Sequence, residues 1–315
     1  MDATVGLYIT YYNECELLTE LIQSIAPDLD WLKEIIVYDD CSSFPAQDFV
    51  PTNASIKIIR GAENRGEGFG RNRLLEQAGA DYVHFHDTDD FFLPGWLSRV
   101  RQAIKDHNNP EAVFTEAAKF INGEMQAWRL GLEKLEVGGD LLGYCLENGM
   151  VVGAGTFSRK LLQKMDGYPE TLSQPVTAFH IRLAAHCSSY AVVTEPLVGI
   201  RIRNDSHSHT LRKHNRLQIY RDGLRALKLV APDVPGKYHV QLADAAIDYS
   251  RLLYQLGDLE GAREGFSWGI NLAQPSYRHQ PRGYRLCAKV IGPFYAEMVS
   301  TIYRKAPKRI REAVR

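Results

Sequence analysis

Tyr82-Val83-His84-Phe85-His86-Asp87-Thr88-Asp89-Asp90-Phe91-Phe92-Leu93-Pro94-Gly95-Trp96 is the stretch on which the reading of this chain turns. A strand-like run of mostly apolar residues ends in three carboxylates within four positions. Like charges so close repel one another, and a divalent cation would offset the repulsion. An Asp-x-Asp turn suits Mg²⁺ or Mn²⁺, which take oxygen ligands. Such an ion could hold a diphosphate and stabilise it as a leaving group. A second reading is open on these residues alone: Asp ahead of a helix begun near Pro94 is ordinary capping chemistry.

Working outward, strand and helix signals alternate through the first 120 residues. Val5–Thr10 reads as a buried strand. Leu17, Leu18, Leu21, Ile22 and Ile25 keep helical spacing. Glu34–Tyr38 is a strand ending in Asp39-Asp40, and Ile56–Arg60 is a third. A helix over about 67–77 precedes the strand before Asp87; a helix over 94–107 and a strand over 112–115 follow it. This order predicts an α/β fold, a mostly parallel sheet with helices on both faces. In such sheets ligands bind beyond the carboxyl ends of the strands, so Thr10, Asp39-Asp40 and Asp87–Asp90 should converge on one crevice. From 120 to 205 the signals are mixed: 150–152, 156–157, 191–193 and 197–202 look extended and 179–185 helical. Beyond 209 the chain reads as helical, and Leu252–Ala262 resembles part of one tetratricopeptide hairpin, expected to pack as an accessory element.

Composition sets the frame. A chain of 315 residues with 45% apolar and 24% charged residues is ordinary for a soluble globular protein. Its net charge of −1 hides a division: residues 200–315 carry 21 Lys+Arg against 10 Asp+Glu, and residues 1–199 carry 16 against 28. An acidic body and a basic C-terminal region suggest that the second part faces something anionic, or that the two parts attract each other. Five scattered cysteines without a Cys-x-x-Cys pair argue against a disulfide framework or a zinc site, and fit a reducing, cytoplasmic compartment. No signal peptide or membrane-spanning stretch is evident.

Five segments carry a resemblance. They are Ile9-Thr10-Tyr11-Tyr12-Asn13-Glu14; Glu34–Ser43 with its Asp39-Asp40 end; Asn64-Arg65-Gly66 followed by Arg71-Asn72; the Asp87–Asp90 tetrad with Pro94-Gly95-Trp96; and Gly167-Tyr168-Pro169-Glu170 followed by Arg182-Leu183-Ala184 and Glu195-Pro196-Leu197. Together, in this order, they resemble the family 2 glycosyltransferases, inverting GT-A enzymes that use nucleotide-sugar donors. The resemblance covers about residues 5–210. It implies a Rossmann-like GT-A domain over 1–210, and the helical signals beyond it predict a C-terminal helical accessory region with a basic tail over 211–315.

It also implies roles. Tyr12 offers a ring for a nucleobase, Asp40 can accept a base imide N–H, and Thr10 can position the base through its backbone. Arg71 pairs with the diphosphate, with Glu14 and Asn64 beside it in the donor site. Asp89 meets the ribose or the metal, Asp90 coordinates the metal, and Asp87 orients its neighbours. His207 or His209 is a further metal or diphosphate contact, with an unliganded surface pair as the alternative. Gly66-x-Gly68-x-Gly70 departs from a dinucleotide fingerprint, because position 71 is Arg and the glycines follow the third strand.

One element of the pattern is missing. An inverting transfer needs a base for the acceptor hydroxyl, usually a carboxylate, and the corresponding positions here are Pro175 and Val176. Glu170, His180 and Asp166 are nearby candidates. The expectation is therefore a metal-dependent (Mn²⁺ or Mg²⁺) transferase moving a sugar from a nucleotide diphosphate donor, UDP by preference, to a hydroxyl of a glycan or lipid-linked acceptor. A nucleotide-sugar-binding or scaffold protein lacking the base is the alternative, and a nucleotidyltransferase the second. Phe294, Tyr295, Met298, Val299, Ile302 and Tyr303 form an apolar stripe ahead of Arg304, Lys305, Lys308, Arg309, Arg311 and Arg315. Such a helix suits peripheral contact with the inner face of an anionic membrane; the commoner alternative is a stripe packed on the protein. Nucleic acid is not expected, since no binding motif accompanies the charge.

Overall fold

The computed structural model describes residues 2–51, 55–135, 138–203 and 215–305. It divides into two units, Met1–Ser206 and His207–Arg315. In the first, β1 (Val5–Tyr11), β2 (Glu34–Asp39), β3 (Ile56–Arg60) and β4 (Tyr82–Asp87) run parallel in the spatial order β3-β2-β1-β4. Beyond β4 the sheet continues through β8 (Gly155–Ser158), β6 (Ala112–Ile121), β9 (Tyr190–Arg201) and the two-residue β5 (Phe91–Phe92), with β7 (Glu124–Met125) paired to β6. β8 lies antiparallel between β4 and β6, and β5 is antiparallel to β9. The α/β expectation is thus borne out with a mixed sheet.

Alternation along β1 builds the two layers. Val5, Leu7, Ile9 and Tyr11 enter a core shared with α1 (Cys15–Ile25) and α3 (Trp96–Asp106), which supply Leu18, Leu21, Ile22, Trp96, Leu97 and Val100. Tyr8 points the other way, its ring 6.3 Å from that of Phe85. A strand's period of two makes this division automatic once the apolar residues are laid down. α2 (Glu67–Gln77), α4 (Leu141–Asn148), α5 (Arg159–Lys164) and α6 (Val176–His186) complete the unit.

Three local expectations change. The helix anticipated from Pro94 begins at Trp96, behind Gly95 in the left-handed region (φ 86°), and no side chain caps it. The extended signals at 191–193 and 197–202 belong to one strand, β9, which pairs with β6 through a register irregularity at Thr115–Ala117. Val152–Ala154 is a 3-10 turn leading into β8.

The second unit holds α7 (Arg216–Val230), α8 (His239–Gln255), α9 (Leu259–Leu272), α10 (Arg282–Ile291) and α11 (Pro293–Lys305). The stretch resembling a tetratricopeptide hairpin spans the turn between α8 and α9. Gly257 takes φ 89° there, and Asp258 caps α9 by accepting from the Gly261 N–H at 3.1 Å. No described helix is long and apolar enough to cross a membrane.

Candidate nucleotide-sugar site

The parallel strands end together, and the predicted residues gather at that edge. Thr10 pairs with Tyr38 on one side and Asp87 on the other. The turn after β1 is clasped to the loop after β2 through Asn13, which adopts φ 57°. Its Oδ1 accepts from the Ser43 N–H at 2.7 Å, and its own N–H donates to the Ser42 hydroxyl at 3.1 Å. Of the neighbouring tyrosines, Tyr11 is buried and donates to the Phe44 carbonyl at 2.8 Å, whereas Tyr12, just past the end of β1, is 51% exposed. The ring expected to face a base is therefore open to one.

The paired carboxylates after β2 divide their work. Asp39, almost fully buried, accepts from the Ser42 and Ala46 N–H groups at 2.8 and 3.0 Å and pairs with Arg60 at 2.7 Å. It fixes the loop. Asp40 accepts from the Arg65 and Gly66 N–H groups at 2.9 and 2.7 Å, which ties the start of α2 to the end of β2. Each carboxylate oxygen has a second lone pair, so Asp40 keeps acceptor capacity for a ligand. The glycines read here as structure. Gly66 takes φ 85°, and a Cβ on Gly70 would stand 2.9 Å from the Tyr38 ring. Asn64 lies exposed in the same loop.

Asp87, Asp89 and Asp90 bring carboxylate oxygens within 4.8 Å of one another, the spacing a single cation needs. Asp87 receives Arg71 at 2.5 Å, and the same Arg71 nitrogen holds Glu67 at 2.9 Å. Arg71 is fully buried over the Tyr168 ring. Burial opposes its charge, but Glu67 and Asp87 outweigh that and raise its pKa. Thr88 donates to the Thr10 carbonyl at 2.5 Å, locking the tetrad to β1. Asp90 accepts from the Arg201 N–H of β9 at 3.0 Å. The capping reading of the tetrad falls with that contact, since the carboxylate turns toward β9 and leaves α3 uncapped.

Electrostatics mark the cluster as short of positive charge. Burial first, then Asp89 and Asp87, holds Asp90 well above the ordinary carboxylate range. Asp89 is raised by burial and by Asp87, with Arg203 opposing. Glu14 is pushed up to about 7 by burial and Asp89, although Arg203 works against it. Arg203 bridges Glu14 at 2.7 Å and Asp89 at 3.3 Å. Sequence reading missed this residue. Its one signal in sequence is a cation just past the end of a strand-like run. His207 and His209 lie outside the described residues.

The candidate bases are enclosed or already engaged. His180 is enclosed by Phe157 and Phe179, 1% exposed. Burial first and Arg71 second lower its pKa to about 3, so the imidazole is neutral and shut from solvent. Glu170 accepts from the Asn72 side chain at 2.8 Å and stands 3.9 Å from Arg65. Asp166 takes φ 59° in the turn after α5. Pro175 opens α6 and packs beside Gly68, with Val176 next to it. A cavity of about 430 Å³ lined by Tyr38, Arg65, Phe69 and Arg73 opens beside α2, and none of the three clustered aspartates lines it.

A doubly wound sheet with an aspartate cluster, a buried arginine and an exposed aromatic ring at its carboxyl edge defines a GT-A type of protein. The glycosyl transferase family 2 model matches residues 7–165, just over half of the chain, and the chain belongs to that family. Uncharacterized glycosyltransferase YwdF of Bacillus subtilis is 30% identical over 118 residues, 36% of this chain and 44% of that protein. The poly(ribitol-phosphate) beta-N-acetylglucosaminyltransferase TarS of Staphylococcus aureus is 30% identical over 125 residues, 38% of this chain and 21% of TarS. The chain thus matches less than half the length of each.

In three dimensions the chain is similar to S. aureus TarS 1-349 in complex with UDP-GlcNAc. The TM-score is 0.74 at 18% identity, covering 96% of this chain and 92% of that one. It is also similar to the mannosyltransferase PcManGT of Pyrobaculum calidifontis in complex with GDP-Man and Mn²⁺, with TM-score 0.55 at 15% identity, covering 97% and 89%. At these identities the likeness is one of fold, and it bears out the GT-A expectation.

Proposed function

We propose that the protein transfers a sugar from a nucleotide diphosphate donor, UDP-linked by preference, to a hydroxyl of a glycan or lipid-linked acceptor. The observation that carries this is the cluster of Asp87, Asp89 and Asp90 beside buried Arg71, at the strand edge where Tyr12 stands exposed. Three clustered carboxylates, with Asp89 and Asp90 held above the ordinary carboxylate range, offer the oxygen-only donors that fit Mg²⁺ or Mn²⁺. When bound, such an ion neutralises charge on a departing diphosphate. Asp89 and Asp90 would hold it, and Asp87 would keep Arg71 in place. Tyr12 would stack on the base, with Thr10, Glu14, Asp40 and Asn64 around the nucleoside. The UDP-GlcNAc complex of TarS and the Mn²⁺ complex of PcManGT support the donor class and the ion.

A second reading has its own observation. Pro175 and Val176 stand where the resemblance expects carboxylates, and His180 is sealed in the core. That favours a protein that binds a donor and transfers it slowly. Incubation with Mn²⁺ and a panel of nucleotide sugars, followed by measurement of released nucleotide diphosphate, separates the two. Release that depends on Mn²⁺ and disappears in Asp89→Ala supports transfer. UDP binding without release supports the donor-binding reading, and no nucleotide binding overturns both.

A further inference from the structure

The second unit turns apolar side chains toward water. On α10 Leu286 is 68% and Val290 83% exposed, one helical turn apart. On α11 Tyr295, Met298, Val299 and Ile302 follow the i, i+3, i+4, i+7 spacing, and Tyr295 and Ile302 are 56% and 64% exposed. The buried faces of these helices are instead Tyr284, Ala288, Ala296 and Glu297. A lone exposed Leu is ordinary. Apolar stripes left outward on two consecutive helices mark an interaction surface.

Charge selects the occupant. From 282 to 305 the sequence has Arg282, Arg285, Lys289, Arg304 and Lys305 against one acid, Glu297. That acid is fully buried between Arg251 and Arg304. At about 100° per residue, Arg282, Arg285 and Lys289 all lie along one side of Leu286 on α10. A second copy docked symmetrically would bring these cations against their own equivalents. An anionic lipid surface accepts both features, taking the apolar side chains at the acyl boundary and the cations at its phosphates.

We propose that α10 and α11 form a peripheral docking surface for an anionic lipid bilayer. This goes beyond sugar transfer and does not depend on it. The test is sedimentation of the full chain with vesicles of phosphatidylcholine, with and without about 30% phosphatidylglycerol, read without any donor sugar. Binding is expected to the anionic vesicles and not to the neutral ones. Combined Arg282→Gln, Arg285→Gln and Lys289→Gln should lower the partition about 100-fold. Combined Leu286→Ser, Val290→Ser and Ile302→Ser should weaken it with Tm unchanged, because these side chains are exposed. Equal affinity for both vesicles, no binding of the parent chain, or full binding by the charge variant overturns the proposal. So does a serine variant that only turns a dimer into a monomer.

Discussion

Arg71→Met tests whether one guanidinium organises the acidic edge. The native side chain is fully buried and joins Asp87 at 2.5 Å and Glu67 at 2.9 Å through one nitrogen, while its Nε and Nη1 have no hydrogen-bond partner among the described residues. Truncating one member of a fully buried ion pair costs about 3–5 kcal/mol. The Asp87 side chain is 31% exposed, so solvent screens part of this, and a loss of about 2–3 kcal/mol is expected. Methionine keeps most of the volume, which limits any cavity contribution. The assay is urea unfolding of the parent, Arg71→Met, Asp87→Asn and the double variant without metal. Removing the charge on Asp87 should recover part of the loss, with a coupling of about 1–2 kcal/mol. Saturating Mn²⁺ should narrow the deficit of Arg71→Met, because the ion would replace the missing positive charge. A coupling below about 0.5 kcal/mol means that Arg71 and Asp87 act independently and refutes the reasoning.

Tyr12→Ala should weaken UDP binding by about 1–3 kcal/mol in titration calorimetry, as loss of a stacked base does, with Tm unchanged because the ring is half exposed. Unaltered UDP affinity would remove Tyr12 from the site. Asp90→Asn should stabilise the metal-free protein increasingly as pH rises above about 4, the ordinary value of an unfolded Asp. The sign follows from the folded carboxyl titrating well above its unfolded value: the folded state holds an extra proton, and parent stability falls as pH climbs past the unfolded pKa. Asn can still accept from the Arg201 N–H, so identical Tm-against-pH slopes in the two proteins would show that Asp90 carries no such penalty.

The sheet was legible because β1, β2 and β4 announce themselves locally. Each is a short apolar run closed by a polar turn, and strand C-termini in a parallel sheet must share an edge. Thr10, Asp40 and Asp87 therefore belong together on sequence grounds alone. Partnership across long separations was not legible. Asp90 meets Arg201 and Asp89 meets Arg203, more than 100 residues on. Those contacts depend on β5 pairing with β9, and two residues, Phe91-Phe92, are too few to register as a strand. The capping alternative survived in sequence because Pro94 and Gly95 resemble a helix start. Gly95 in the left-handed region moves that start to Trp96 and leaves the carboxylates free to turn toward the sheet. His180 is a plausible base by residue type alone, and only its enclosure, which sequence does not show, keeps it neutral.

The missing base can be tested by supplying one. Val176 is the first residue of α6, is half-buried, and follows Pro175, which offers no side-chain cap. Aspartate there would sit at the positive end of the helix, worth about 0.3–1 kcal/mol, against about 1 kcal/mol for the half-buried valine it replaces, so Val176→Asp should fold with at most a small loss of stability. A positioned base contributes roughly 10²–10⁴-fold to such a step. If proton removal limits transfer, Val176→Asp should raise Mn²⁺-dependent turnover by up to about 10²-fold, the low end because the surrounding shell was not shaped for it. UDP affinity should stay constant, because Asp87, Asp89 and Tyr12 are untouched. Unchanged turnover in a folded, UDP-binding Val176→Asp protein would mean that another group already accepts the proton. Pro175-Val176 would then be a relocation of the base rather than its loss, and the slow-transfer reading would fail.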